Sequence, residues 1–261
     1  MKVQLGSELT KITSTRLWWL LLLAMCALTT GFGTFLVYAA LHAPASPLRL
    51  DSPDKIVLLY NLPVGIAYVF PLALGVIVVT QEYNSRTIVP TLLGEPRRHL
   101  VLGAKLLTGS GVAFVYGVVS VGLSAAVTAG MLSAQGIDPH LADSRVVGAL
   151  LGSVAVLTLW GTIGVAIGAL VRNQVVAIVG ILLITRFLEP MARMGAARAG
   201  YPQLGSYLPG GAGDAASGGT VIDAAAGIDT SSPLLGFLVL GVYTVVLAVL
   251  GQVRFNRYEA S

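Results

Sequence analysis

The chain has 261 residues, of which 55% are hydrophobic and only 11% charged, with a formal net charge of +4. A soluble domain carries roughly 25% charged residues, and one water-solvated core of this length cannot hide so much apolar surface, whereas lipid around a helical bundle can accept it. The positive excess lies beside long apolar runs and not in a basic, aromatic-interleaved stretch, so it points to membrane orientation and away from nucleic acid.

Before the first apolar run, Leu5, Leu9 and Ile12 recur at helical spacing among Lys2, Glu8, Lys11 and Arg16. This pattern predicts a short amphipathic helix within 1–16, lying on a membrane surface. The apolar run that follows, 17–41, is far longer than the 7–15 residues of a signal-peptide core and reads as a retained span. Cys26 lies inside it as a small packing residue with no second cysteine to pair with.

About 20 apolar residues suffice for each helical span, and six runs qualify: 17–41, 56–80, 103–132, 146–171, 175–188 and 233–253. The fold expected is all-α, a single polytopic transmembrane domain over 1–261. In the second span, Pro71 predicts a kink, because proline withholds one helix hydrogen bond and its ring crowds the preceding turn. Tyr60, Asn61 and Tyr68 in the same span are amphipathic groups that can line a cavity or sit in an interfacial belt. In the fourth span Gly148, Gly152 and Ala155 fall on one face and Gly161, Gly164 and Gly168 on nearly the opposite one, so different neighbours are expected to pack closely at different depths. Arg186 and Glu189 stand three apart near the end of the fifth span, on one helical face; charges at that depth are expected to pair or to line a wet cavity. Pro233 suits the first turn of the sixth span.

With the amino terminus inside, ten Lys and Arg face the cytoplasm and six face outward or lie at the boundary of the fifth span, an asymmetry that places both termini in the cytoplasm of a multi-pass cell-membrane protein. Residues 189–232 then form a long outer segment. Its mixture of small and apolar residues, including Tyr207-Leu208-Pro209-Gly210-Gly211, suits a packed loop or re-entrant pieces.

The segment 81–99 between the second and third spans is too polar for lipid and too apolar for a free linker. Ile88, Val89, Leu92 and Leu93 would form one apolar stripe on a short cytoplasmic helix, the form of an element that docks. Glu82, Thr87, Leu92-Leu93, Pro96-Arg97 and the downstream Lys105, in that order after the second span, resemble the membrane subunits of ABC-2-type exporters, as do the six-span layout and the outer segment with Leu208-Pro209. The resemblance implies that Glu82, Thr87, Ile88, Leu92, Leu93, Pro96 and Arg97 couple the chain to a separate P-loop ATPase, present in two copies, with a second, identical or homologous permease subunit completing the path. Its cargo would be hydrophobic or amphipathic: a drug, an antibiotic peptide or a lipid-like molecule.

No G-x-x-x-x-G-K-[ST] run occurs, so ATP and Mg are expected in the partner and no cofactor in this chain. His42, His99 and His140 lack metal-ligand spacing, and no nucleophile–base constellation suggests an enzyme. Two other functions remain open: a non-transporting membrane anchor or immunity protein, and an ion-driven secondary transporter. The latter calls for an acid deep within a span, and none of the 12 Asp and Glu stands in the middle of one of the six runs.

Overall fold

The fold is known from a computed structural model that describes residues 2–42, 53–85, 87–95, 97–219 and 232–257. All regular elements among these residues are helical. A surface helix α1 (Lys2–Thr13) turns into α2 (Leu17–His42), and α3 (Pro53–Tyr60), α4 (Leu62–Ala67) and α5 (Val69–Asn84) follow in line. The short α6 (Ile88–Gly94) leads to the long α7 (Arg98–Ala134), then α8 (Ser144–Leu170) and α9 (Gln174–Leu183). A π-helical turn (Ile184–Leu188) joins α9 to α10 (Glu189–Arg198), a 3-10 turn (Pro202–Tyr207) precedes α11 (Pro209–Ala216), and α12 (Pro233–Asn256) closes the bundle.

Six helical runs are long and apolar enough to cross a membrane: Leu17–His42, Ile56–Asn84, Arg98–Ala134, Ser144–Leu170, Gln174–Arg198 and Pro233–Asn256. They make the chain a multi-pass membrane protein by length and composition. Their outer faces carry exposed Leu23, Phe35, Val175, Phe187, Leu238 and Val245, which water would penalise and lipid accepts.

Helix α8 is the hub, packed against α5, α7 and α12. Its glycines explain how closely. A Cβ on Gly164 would overlap the Leu72 carbonyl oxygen, one on Gly168 would meet that of Val76 at 2.8 Å, and one on Gly75 would overlap the carbonyl oxygen of Gly161. The two backbones therefore touch, and the 161/164/168 face expected from the sequence is the α5 seam. The opposite face meets α11: a Cβ at Gly152 would stand 3.1 Å from the Ala216 carbonyl oxygen, whereas Gly148 faces open space among the described residues. Trp160, Tyr68, Leu72 and Leu157 fill the centre of the core.

The second span is broken twice, at Asn61 and at Tyr68. Pro71 cannot donate to the Ala67 carbonyl, so the break at Tyr68 falls where its missing bond frees the chain; Pro63, in the first turn of α4, does the same one step earlier. Asp143, Asn173 and Ser232 accept from backbone N–H groups at the starts of α8, α9 and α12, satisfying donors that helix ends otherwise leave open.

The fifth helix departs from expectation. It was expected to end near 188, but continues to Arg198 through the π turn. Pro190 has no N–H to donate, and the widened turn ahead of it absorbs the loss. Glu189 thereby becomes a buried acid inside a span-length helix, 3% exposed, where the expectation was that no acid stands in the middle of a run. Of the segment 189–232, the described part is helical (α10, the 3-10 turn, α11), with α11 and the 3-10 turn packed on α12 and α10 on the 3-10 turn; 220–231 lie outside the described residues.

Candidate functional site

The charges concentrate where α1 crosses the ends of α5 and α7. Helix α1 forms as its apolar spacing predicts, burying Ile12 and turning Glu8 inward with it. Lys105 lies about two turns inside α7 and is 0% exposed. Its ammonium donates to Glu8 Oε2 at 2.7 Å and to the Val78 carbonyl at 3.4 Å, and pairs with Glu82 Oε1 at 2.8 Å. Lys11 donates to Glu8 Oε1 at 2.6 Å and to the same Glu82 Oε1 at 2.5 Å. Two carboxylates and two ammoniums thus form a neutral quartet drawn from three helices, the arrangement that makes buried charge tolerable. Burial alone would lower the pKa of Lys11, but hydrogen bonds and charge from Glu8 and Glu82 outweigh it and hold the ammonium above the ordinary lysine range. Glu82 Oε2 is buried and has no hydrogen-bond partner among the described residues.

A second, more exposed link ties α1 to the loop after α6. Gln4 Nε2 donates to Glu95 Oε2 at 2.6 Å, and Arg97 Nε donates to Glu95 Oε1 at 2.8 Å. The Arg97 guanidinium and then Gln4 hold the Glu95 carboxyl down at about 2. A hollow of about 480 Å³ lies between α1 and the 87–95 segment, bordered by Gln4, Lys11, Thr87 and Glu95.

The residues expected to couple are brought together only in part. Thr87 is exposed; its N–H donates to the Glu82 carbonyl at 3.0 Å and its hydroxyl meets that of Ser85. Ile88 is 2% exposed and packs with Val79, Val101 and Phe255, whereas Leu93 is 80% exposed. The stripe therefore divides: one end anchors α6 to the bundle and the other faces outward. Pro96 and the side chain of Leu92 lie outside the described residues. Arg98 donates to the Asn256 carbonyl at 2.7 Å and closes the end of α12.

The residues named as able to line a cavity each make a hydrogen bond within the bundle. Tyr60 donates to the Pro139 carbonyl at 3.0 Å, and Asn61 Nδ2 to that of Gly219 at 3.1 Å. Tyr68 packs against Trp160 with the rings tilted by 34°, shares a hydrogen bond with Thr185, and lies under the Arg186 guanidinium. Arg186 and Glu189 do not pair with each other. The π turn sends Arg186 to the Gly65 carbonyl of α4, while Glu189 accepts from the Gly210 N–H at the start of α11, 2.8 Å away. Arg193 and Asp214 join α10 to α11 alongside, at 3.0 Å.

Glu8 and Lys11 were not expected at the site. Their signal was a Glu and a Lys three apart on an otherwise apolar face, opposite a lysine that intrudes into the third apolar run.

The six-span helical bundle and its buried quartet define a multi-pass helical membrane protein. Compared with family models and with curated proteins, the chain matches none.

Proposed function

We propose that the chain is the membrane subunit of an ATP-driven exporter of the ABC-2 type, with the 81–99 segment receiving motion from a separate P-loop ATPase. The observation that carries this reading is the construction of α6. Leu93, 80% exposed, projects from a short helix whose base is fixed by Ile88 and whose approach is fixed by the Glu8–Lys11–Glu82–Lys105 quartet. A displacement applied at Leu93 is passed to α5 and α7 at once, and through α8 to the rest of the bundle. Packed elements transmit displacement in this way because their interiors are nearly incompressible.

In this reading both termini and 81–99 are cytoplasmic, two ATPase copies supply the energy, and a second permease subunit completes the path for an amphipathic cargo. The ion-driven alternative has two buried acids within span-length helices among the described residues: Glu82 is paired with Lys11 and Lys105, and Glu189 accepts from the start of α11. The anchor or immunity alternative shares the docking element and differs only in moving nothing.

The test is co-expression with a candidate ATPase, followed by co-purification and export from proteoliposomes. Seating a Leu in a partner groove contributes about 1.5–3 kcal/mol, so Leu93→Ala should weaken ATPase association roughly 10- to 100-fold with insertion unchanged. Normal association of this variant overturns the docking role. Normal association with no cargo movement by the wild type favours the anchor.

A further inference from the structure

We infer that the cleft between α1 and the α2–α5 pair binds a phospholipid whose headgroup ends in a primary ammonium. The cleft encloses about 270 Å³ and has two chemically distinct walls. Leu17, Leu74 and Ile77, from the ends of two span-length helices, make the apolar wall; Lys11, Gln81 and Glu82 make the polar one. Because the first wall belongs to the spans and the second to the surface helix and the end of α5, the cleft straddles the level at which hydrocarbon gives way to headgroups. It is large enough for a headgroup and the first carbons of its chains, and too small for a whole lipid, whose tails would remain in the bilayer.

Charge selects among headgroups. The quartet is balanced, two carboxylates against two ammoniums, so an anionic headgroup finds no net attraction and a zwitterionic one fits. Inside that balance one acceptor is left over: Glu82 Oε2 is buried and has no hydrogen-bond partner among the described residues, while Glu82 Oε1 is taken by both lysines. A buried acceptor without a donor is costly. An N–H donor entering from the cleft removes that cost, and a quaternary ammonium, which has no N–H, does not. The headgroup phosphate then lies towards Lys11, the more exposed of the two lysines. This inference needs only that the chain spans a membrane; it stands or falls independently of the ATPase reading.

The experiment is native mass spectrometry of the full-length chain in detergent, titrated separately with dioleoyl phosphatidylethanolamine, dioleoyl phosphatidylcholine, dioleoyl phosphatidylglycerol and dodecylamine. Wild type should retain one phosphatidylethanolamine roughly tenfold more tightly than the other two lipids, as one charge-assisted hydrogen bond allows. Glu82→Gln should erase most of that preference. Since Glu82→Gln also disturbs the quartet, Gln81→Trp, which fills the mouth from an exposed position and leaves all four charges in place, should abolish retention with thermal stability unchanged. Equal retention of ethanolamine and choline lipids, or undiminished retention by Gln81→Trp, overturns the proposal. Dodecylamine binding as tightly as phosphatidylethanolamine overturns the lipid assignment in favour of a free amine.

Discussion

Lys105 and Glu82, on separate spans, hold their charges 2.8 Å apart at a point where the Lys105 side chain has no exposed surface. Removing one partner of a buried pair costs about 3–5 kcal/mol, because the other charge stays buried without compensation, whereas removing both costs much less. Lys105→Met should therefore lower the thermal midpoint sharply in detergent, and Lys105→Met with Glu82→Gln should recover a large part of the loss. A strictly additive double-mutant cycle would show that the two side chains do not interact energetically.

The α5–α8 seam makes a second prediction. A methyl group at Gly164 meets the Leu72 backbone, which cannot move without parting two spans. Overpacking of this kind costs about 1–3 kcal/mol, so Gly164→Ala should reduce folded yield and thermal stability. Gly148→Ala, facing open space on the same helix, should be neutral or stabilise by up to about 1 kcal/mol through helix propensity. Comparable losses from both variants would contradict the observed seam.

The seam and the spans were legible in the sequence because both depend on local periodicity: apolar length gives the span and 100° per residue gives the glycine face. The quartet was not. Glu82 and Lys105 stood out individually, but the helix that unites them, α1, comes from the far end of the chain, and nothing local in Glu8 or Lys11 specifies which way they turn. Leu93 and Ile88 part company for a related reason. A helix of one or two turns has its orientation set by its anchor, here Val79, Val101 and Phe255, and not by its own stripe. Arg186 and Glu189 share a face in an α-helix, yet the π turn ahead of Pro190 redirects them to different partners.

The attachment of α1 should have a flat pH dependence with two distant edges. Lys11 has a folded pKa above its ordinary 10.5, so its contribution is complete below that value and is lost as pH rises through the raised one. Glu95 is depressed from 4.5 to about 2, so its contribution is complete above 4.5 and is lost as pH falls towards 2. Spin labels at Ser7→Cys and Leu93→Cys in a Cys26→Ala background should report a constant α1–α6 distance between about pH 5 and 10. Release of α1 near pH 7 would contradict these two attachments.

Topology is the last prediction. The order of spans in the sequence assigns ten of 16 Lys and Arg to the side expected to carry α1, α6 and the end of α12, and basic residues are retained on the cytoplasmic side. Leu93 on that side and Asp138 in the turn between α7 and α8 on the other are both well exposed, so cysteines there are reachable by reagent. In the Cys26→Ala background, Asp138→Cys should react with an impermeant maleimide in intact cells, and Leu93→Cys only after the membrane is opened. Inverting the chain would place Lys2, Lys11, Arg16 and the Arg97–Arg98 pair outside, against the retention of basic residues in the cytoplasm. Labelling of Leu93→Cys from outside intact cells would place α6 out of reach of any ATPase, and would remove the exporter reading together with the assigned orientation.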